Sequence, residues 1–408
     1  MRNFFKNISA LYLDVPKLTK TLLPIIVLEH LVASFCLSIS AYFKKVNYFQ
    51  YEQIGEFISC YYWGCLFGSL IGGALTLYYK KSKISGWGLM LLGACLFGLM
   101  NSISLWLIAL SMFLVGFIGT ITATANLTNL IRSVKDNEKS KLKVISLDLI
   151  IFNLCFSFVT FVLLDLSPLY ILKYVQIMIC LLVFVGFGSL IFYQDSIFNP
   201  PKLGSLGFKI ILPERKQEFM LLMSMVLFFG LIFSMVKVVF APTLIERFGS
   251  NMMSVIAASI NPWVVFLIQP LIVGRIKNSN SIWFLGIGGL IVGLSYFMFG
   301  MVNSFELTAI VLVLLTFGEM MFGPLSKHFN IQLYRSGQEG VAAGTWKAVF
   351  LGSGAIGPGL SGYVAEYYGT YVVWDCCALL GLLCFVFSLY LRKIQIKMPY
   401  SKLVLDKQ

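Results

Sequence analysis

The side chains able to do chemistry in this chain are charged and amide groups set inside apolar sequence. Glu319 lies in the apolar run that opens at Leu314, with Pro324 five residues later and Lys347 in the run that follows. A carboxylate in such a run is expensive to bury, so it faces a cavity or a partner. A purely structural ion pair is the alternative. Lys237, in an earlier run, is the candidate partner; left unpaired there, it would lose its proton or snorkel to the surface. Together the two would offer opposite charges to a zwitterion, Glu319 to its amine and Lys237 to its carboxylate. A second acid–base group is Glu29-His30. A carboxylate in a partly dry cavity holds its proton more tightly than in water, which suits a proton carrier near neutral pH. Glu29, His30 and Glu319 are therefore the candidates for proton coupling, with a packed, hydrogen-bonded role as the other reading of His30. Neutral polar contacts for a substrate would come from Asn126, on a stripe with Gly119, Thr122 and Asn129, from Thr124 beside it, and from Asn261 before Pro262.

Everything around these groups is membrane sequence. Of 408 residues, 58% are hydrophobic and only 12% charged, against about 25% charged in a soluble globular protein. Apolar runs of about 20 residues recur. They predict an all-α membrane protein with twelve transmembrane helices, roughly at 21–43, 54–79, 86–101, 103–131, 144–165, 169–193, 218–245, 252–274, 281–301, 306–333, 341–365 and 370–391. The third is short on this reading. The longest connection, 194–217, carries Pro200, Pro201, Gly204, Gly207 and Pro213 and falls after the sixth span. It divides the chain into two six-helix bundles, 1–193 and 218–408, the second ending in a cytoplasmic tail.

Charge sets the sidedness. Lys44, Lys45, Lys173 and Arg247 lie on one side and Lys237, Lys327 and Lys347 within spans; the other 24 of the 31 basic residues share the side of the termini. Such a bias makes the termini cytoplasmic. The net charge of +13 is thus a topology signal suited to anionic lipid headgroups, and nucleic acid is not an expected partner. Counted from the cytoplasmic ends of their spans, Lys237 and Glu319 differ in depth by roughly 5 Å at 1.5 Å per residue. Lys347, near the start of its span, is expected to snorkel to the cytoplasm, and Asp148, near the cytoplasmic surface, to serve a helix end or gate.

Small residues recur at helix-packing spacing: Gly64, Gly68 and Gly72 every four residues, and Gly357-Pro358-Gly359 in the eleventh span. Small residues let helices approach closely, and Gly-Pro-Gly gives a place to bend; tight packing and a sliding or bending gate both fit. The nine cysteines form no CxxC pair and no Cys/His metal spacing, so they read as small apolar packers. Residues 1–20 lack the apolar core and cleavage site of a signal peptide; Phe4, Phe5, Ile8, Leu11 and Tyr12 would instead lay a short helix on the membrane.

The two six-span halves joined by a cytoplasmic linker resemble the major facilitator superfamily, whose halves surround a cavity that opens alternately to each side. Several local patterns are more specific. Gly318-Glu319 followed by Pro324 is similar to the GE-x4-P signature of proton-coupled oligopeptide transporters. Gly344-Thr345-Trp346 resembles their G-x-W, Ser259-Ile260-Asn261-Pro262 their SLNP, and Gly72-Gly73 their GG. Asn126 and Asn153 fall where that family has its PN and N-x-G. The resemblance implies that Glu319 binds a peptide's amino terminus, that protons drive import, and that Trp346 joins the substrate contacts. The departures are as clear. The family's E-x-x-E-R-F-x-Y-Y keeps only its first acid, as Glu29; the second acid and the arginine fall on Val32 and Ala33, and the span 4 lysine on Thr124. Lys237 and Lys347 are additional.

Three functions follow. The first is a proton-coupled symporter for a short peptide, amino acid or related zwitterion. The second is an exporter of a drug or an anionic metabolite such as a carboxylate chelator, favoured by the missing acid–arginine cluster and by Lys237 and Lys347. The third is a non-transporting sensor on a transporter fold. No nucleophile–base pair, metal cluster or phosphate loop points to an enzyme. No cofactor beyond the coupling proton is expected. The compact loops suit a monomer in a bacterial inner membrane, with a small-molecule substrate and the lipid bilayer as its partners.

Overall fold

Apolar runs in lipid fold as helices because every backbone N–H and C=O must be satisfied within the segment. The computed structural model describes residues 17–46, 49–102, 104–132, 138–192, 213–249, 252–275, 281–334 and 339–397. Their helices are α1 Lys17–Leu37, α2 Ile39–Val46, α3 Tyr51–Tyr78, α4 Lys81–Asn101, α5 Leu105–Arg132, α6 Glu138–Asp165, α7 Pro168–Phe192, α8 Lys216–Phe248, α9 Met252–Arg275, α10 Ser281–Met301, α11 Phe305–Leu333, α12 Glu339–Tyr368 and α13 Thr370–Lys397. α1 and α2 meet at a 49° bend and make one broken span. Among the described residues there are thirteen helices and no strand; nine helices, or ten spans with the bent pair as one, are long and apolar enough to cross a membrane, and Ile150–Asp165 and Met252–Val265 are shorter apolar helices. The expected N-terminal surface helix and most of the 194–217 linker lie outside the described residues.

Two spans begin earlier than their apolar stretches. α4 starts at Lys81 rather than 86, and α6 at Glu138 rather than 144. Helical bonding continues past the hydrocarbon edge, where polar residues carry it into headgroups and water. The start of α4 is packed, with Lys81, Ser82 and Ser85 all buried. Six threonine hydroxyls inside the helices are satisfied at home. Thr122, Thr124, Thr128, Thr160, Thr243 and Thr316 each donate to the carbonyl four residues earlier at 2.7–2.8 Å.

The chain forms two compact units, Met1–Asn47 with Cys60–Leu206, and Tyr48–Ser59 with Gly207–Gln408. In the first, Gly64 and Gly68 of α3 abut the carbonyls of Phe113 and Phe117 on α5, and Gly116 of α5 abuts the carbonyl of Tyr61. Any side chain at these glycines would collide with backbone, so the pair of helices depends on them. At Gly72 an added Cβ would stand 3.2 Å from the Cα of Ile121. In the second unit, Gly357 of α12 seats the hydroxyl of Ser234 on α8, and Gly230 of α8 seats Ser353 of α12. Ser361 then donates to the carbonyl of Met235 at 2.9 Å.

Residues 48–59 group with the second unit, so the first turns of α3 are held there rather than with the helix's remainder. The backbone N–H of Tyr51 donates to Glu366 at 3.0 Å and its hydroxyl to Glu246 at 3.1 Å. Tyr367 donates to Glu52 at 3.2 Å, and the N–H of Gly359 to Ser59 at 2.9 Å. Gly55 and Gly362 make the close backbone approach that these bonds require.

Candidate functional site

Each unit carries its own buried polar cluster. In the second, Gly318 of α11 presses against the carbonyl of Gly288 on α10 and the side chains of Val292 and Ile291. Locking that face turns the neighbouring residue, Glu319, about 100° round the helix and away from α10's backbone. Oε1 of Glu319 accepts from Nδ2 of Asn261 on α9 at 2.8 Å. Lys237 of α8 stands within electrostatic reach of the same carboxylate. Tyr296 of α10, stacked on Trp374 with ring centroids 6.1 Å apart, also lies in the field of Glu319. Four helices thus place an acid, a base, an amide and a phenol around one point. Glu319 and Lys237 are both only partly buried. One turn along α11, an added Cβ at Gly323 would meet nothing within 4 Å, so the helix face is open at that position.

Trp346 of α12 is held two turns further along α11 from Glu319. Its Nε1 donates to Ser326 at 3.0 Å, and its ring stacks on Phe350 at 5.1 Å. The ammonium of Lys327 sits 4.6 Å above that ring, a cation–π contact. Lys347 is exposed beside it. Asn330 ties the ends of the two helices together by donating to the carbonyl of Ala342.

The first unit holds a longer chain of bonds. His30 of α1 has Nε2 3.0 Å from Oδ1 of Asp148 on α6 and Nδ1 3.6 Å from Oε1 of Glu29. Oε2 of Glu29 accepts from Nδ2 of Asn126 on α5 at 3.2 Å. Oδ1 of Asn126 accepts from the hydroxyl of Ser85 on α4 at 2.5 Å. The imidazole is wedged edge-on against Phe152 of α6 at 5.5 Å.

Of the two expectations for Asp148, the helix-end one fails: the residue sits well inside α6, bonded to His30, because that helix begins six residues before its apolar stretch. Asn126 is 1% exposed and spends its amide between Glu29 and Ser85. Thr124 returns its hydroxyl to Thr120. Ser85 and Tyr296 were not among the sequence candidates. Ser85 fell just outside a span started too late, and a tyrosine in an apolar run gives no polar signal. The thiols of Cys155 and Cys384 donate to the carbonyls of Val27 and Met225.

A sequence profile of the Major Facilitator Superfamily matches residues 19–344. No curated protein matches the chain by sequence. Among solved structures, an auto inhibited POT family peptide transporter is similar with a TM-score of 0.75 at 13% identity, covering 92% of this chain and 97% of that one. A nucleoside transporter is similar with a TM-score of 0.76 at 15% identity, covering 91% and 99%. A POT family transporter in complex with 5-aminolevulinic acid gives 0.68 at 15% identity, covering 94% and 97%. At these identities the likeness is one of fold. With the profile matched over most of this all-helical chain, the chain belongs to the Major Facilitator Superfamily.

Proposed function

We propose that the protein is a secondary active transporter that carries a short peptide, amino acid or related zwitterion by proton-coupled alternating access. The observation that carries this reading is the Asn261–Glu319–Lys237 group, which offers opposite charges from neighbouring helices beside open space at Gly323. Glu319 takes the substrate amine, Lys237 its carboxylate, and Asn261 holds the carboxylate of Glu319 in place. Trp346 completes the proposed substrate contacts within this unit, while Glu29 and His30 of the other serve the proton. The 5-aminolevulinic acid held by one similar structure is itself an amine joined to a carboxylate, which supports the same substrate chemistry. On this reading the protein works as a monomer in a bacterial inner membrane, both termini cytoplasmic, with the proton as coupling ion and no other cofactor.

The test is uptake of a labelled dipeptide into liposomes containing the purified protein under an inward proton gradient, with amino acids and dicarboxylates as competitors. Gradient-dependent uptake blocked by other peptides is the expected result. Its absence from folded protein would overturn the peptide reading. A second reading, export of an anionic metabolite, is favoured by the cationic contact of Lys327 on Trp346 with Lys347 beside it. Direction of flux in everted vesicles separates the two.

A further inference from the structure

We infer that Asp148, His30 and Glu29 form a single proton-binding site, with Asp148 as its entrance and Asn126 and Ser85 coupling its occupancy to neighbouring helices. The inference deepens the proton-coupled reading above and rests on it for its physiological meaning. Each imidazole nitrogen faces a carboxylate oxygen, Nε2 toward Asp148 at 3.0 Å and Nδ1 toward Glu29 at 3.6 Å. A neutral imidazole owns one N–H, so it can satisfy only one of the two acids and must turn a lone pair toward the other. A doubly protonated ring satisfies both. The geometry is therefore that of a site completed by one added proton.

Among the described residues the charged groups acting on His30 are Glu29 on its own helix and Asp148 on α6. The Cys155 thiol of α6 stands near Glu29. From α5 and α4 the neighbours are neutral, Asn126 and Ser85. Exposure falls along the chain, with side-chain values of 26% at Asp148, 10% at His30 and 6% at Glu29. A proton from water thus meets Asp148 first, passes to Nε2 of His30, and leaves by the reverse step when the site next meets solvent. Proton loss leaves two carboxylates facing a neutral ring, which weakens the bonds joining α6 to α1 and, through Glu29 and Asn126, α1 to α5 and α4. That dependence on occupancy is what a proton-driven change of state needs.

The chain has two histidines, and the other, His328, is exposed on α11. His328→Gln leaves His30 alone for nitrogen-15 histidine spectroscopy on the full-length protein in lipid nanodiscs. The expected result is conversion between one-N–H and two-N–H imidazole within pH 5–9. Adding Asp148→Asn should lower proton affinity at least tenfold, because the ring loses its nearest negative charge. An imidazole that keeps one state throughout, or a midpoint indifferent to Asp148→Asn, overturns the inference. In liposomes, His30→Gln should lose gradient-driven dipeptide accumulation and keep dipeptide counterflow exchange, which moves no net proton. Equal loss of both in folded protein would make His30 structural. If the wild-type protein moves no dipeptide, the substrate reading fails, and the spectroscopy still decides the proton site.

Discussion

Replacing Glu319 by Gln tests the substrate site with little change of shape. Oε1 of Glu319 is taken by Asn261 at 2.8 Å, and no other hydrogen bond to this carboxylate is found among the described residues. One oxygen, Oε2, is thus left to receive a substrate ammonium, so one charge-assisted bond is at stake. Hydrogen bonds to charged groups contribute about 1.5–3 kcal/mol. The amide oxygen of Gln can keep the Asn261 bond, which leaves its NH2, a donor, pointing where the ammonium's acceptor was. The loss should then lie at the upper end of that range, about 3 kcal/mol, or roughly 150-fold in Kd at 1.4 kcal/mol per tenfold. Binding of a dipeptide to purified Glu319→Gln protein, measured by calorimetry beside the wild type, reads this directly. Gradient-driven uptake should disappear at substrate concentrations that saturate the wild type. The elution profile and melting temperature should stay near wild type, because the bond that orients residue 319 survives. Wild-type affinity and full driven uptake in this variant would refute the assignment of Glu319 to the amine.

Glycines that look alike in sequence should respond differently to a methyl group. Gly357→Ala, whose Cβ would collide with Ser234, should lower thermal stability by about 1–3 kcal/mol as overpacking does. Gly323→Ala, with nothing within 4 Å, should leave stability unchanged or raise it by up to about 1 kcal/mol, the helix-propensity gain of Ala over Gly; a melting curve in detergent checks both. Trp346→Phe keeps the stack on Phe350 and deletes the bond to Ser326, so its stability should fall by about 1 kcal/mol, again read from melting. Tyr51→Phe removes the hydroxyl bond to Glu246 and leaves the backbone bond to Glu366. Exchange of the α3 N-terminal amides, followed by hydrogen–deuterium mass spectrometry, should rise several-fold there and remain unchanged in α5.

Composition and apolar run length alone determined that this chain spans a membrane several times, and loop charge supplied an expected sidedness. Those properties are additive along the chain: each run is apolar by itself, and each loop carries its own charge. The cost of burying a charge likewise marked Glu319, Lys237, Glu29 and His30 one residue at a time. Partners were a different matter. Asp148 read as a helix-end or gate residue until α6 was seen to begin at Glu138, in polar sequence that no apolar window detects. Ser85 was lost for the same reason at the start of α4. The joining of Asp148 to His30, 118 positions apart, depends on which faces of α1 and α6 meet, and packing alone decides that. Tertiary contacts also assigned residues 48–59 to the second unit, through Tyr51, Glu246, Glu366 and the Gly55–Gly362 approach. Chain order would never group them so, because a hydrogen bond depends on distance in space and is indifferent to separation along the chain.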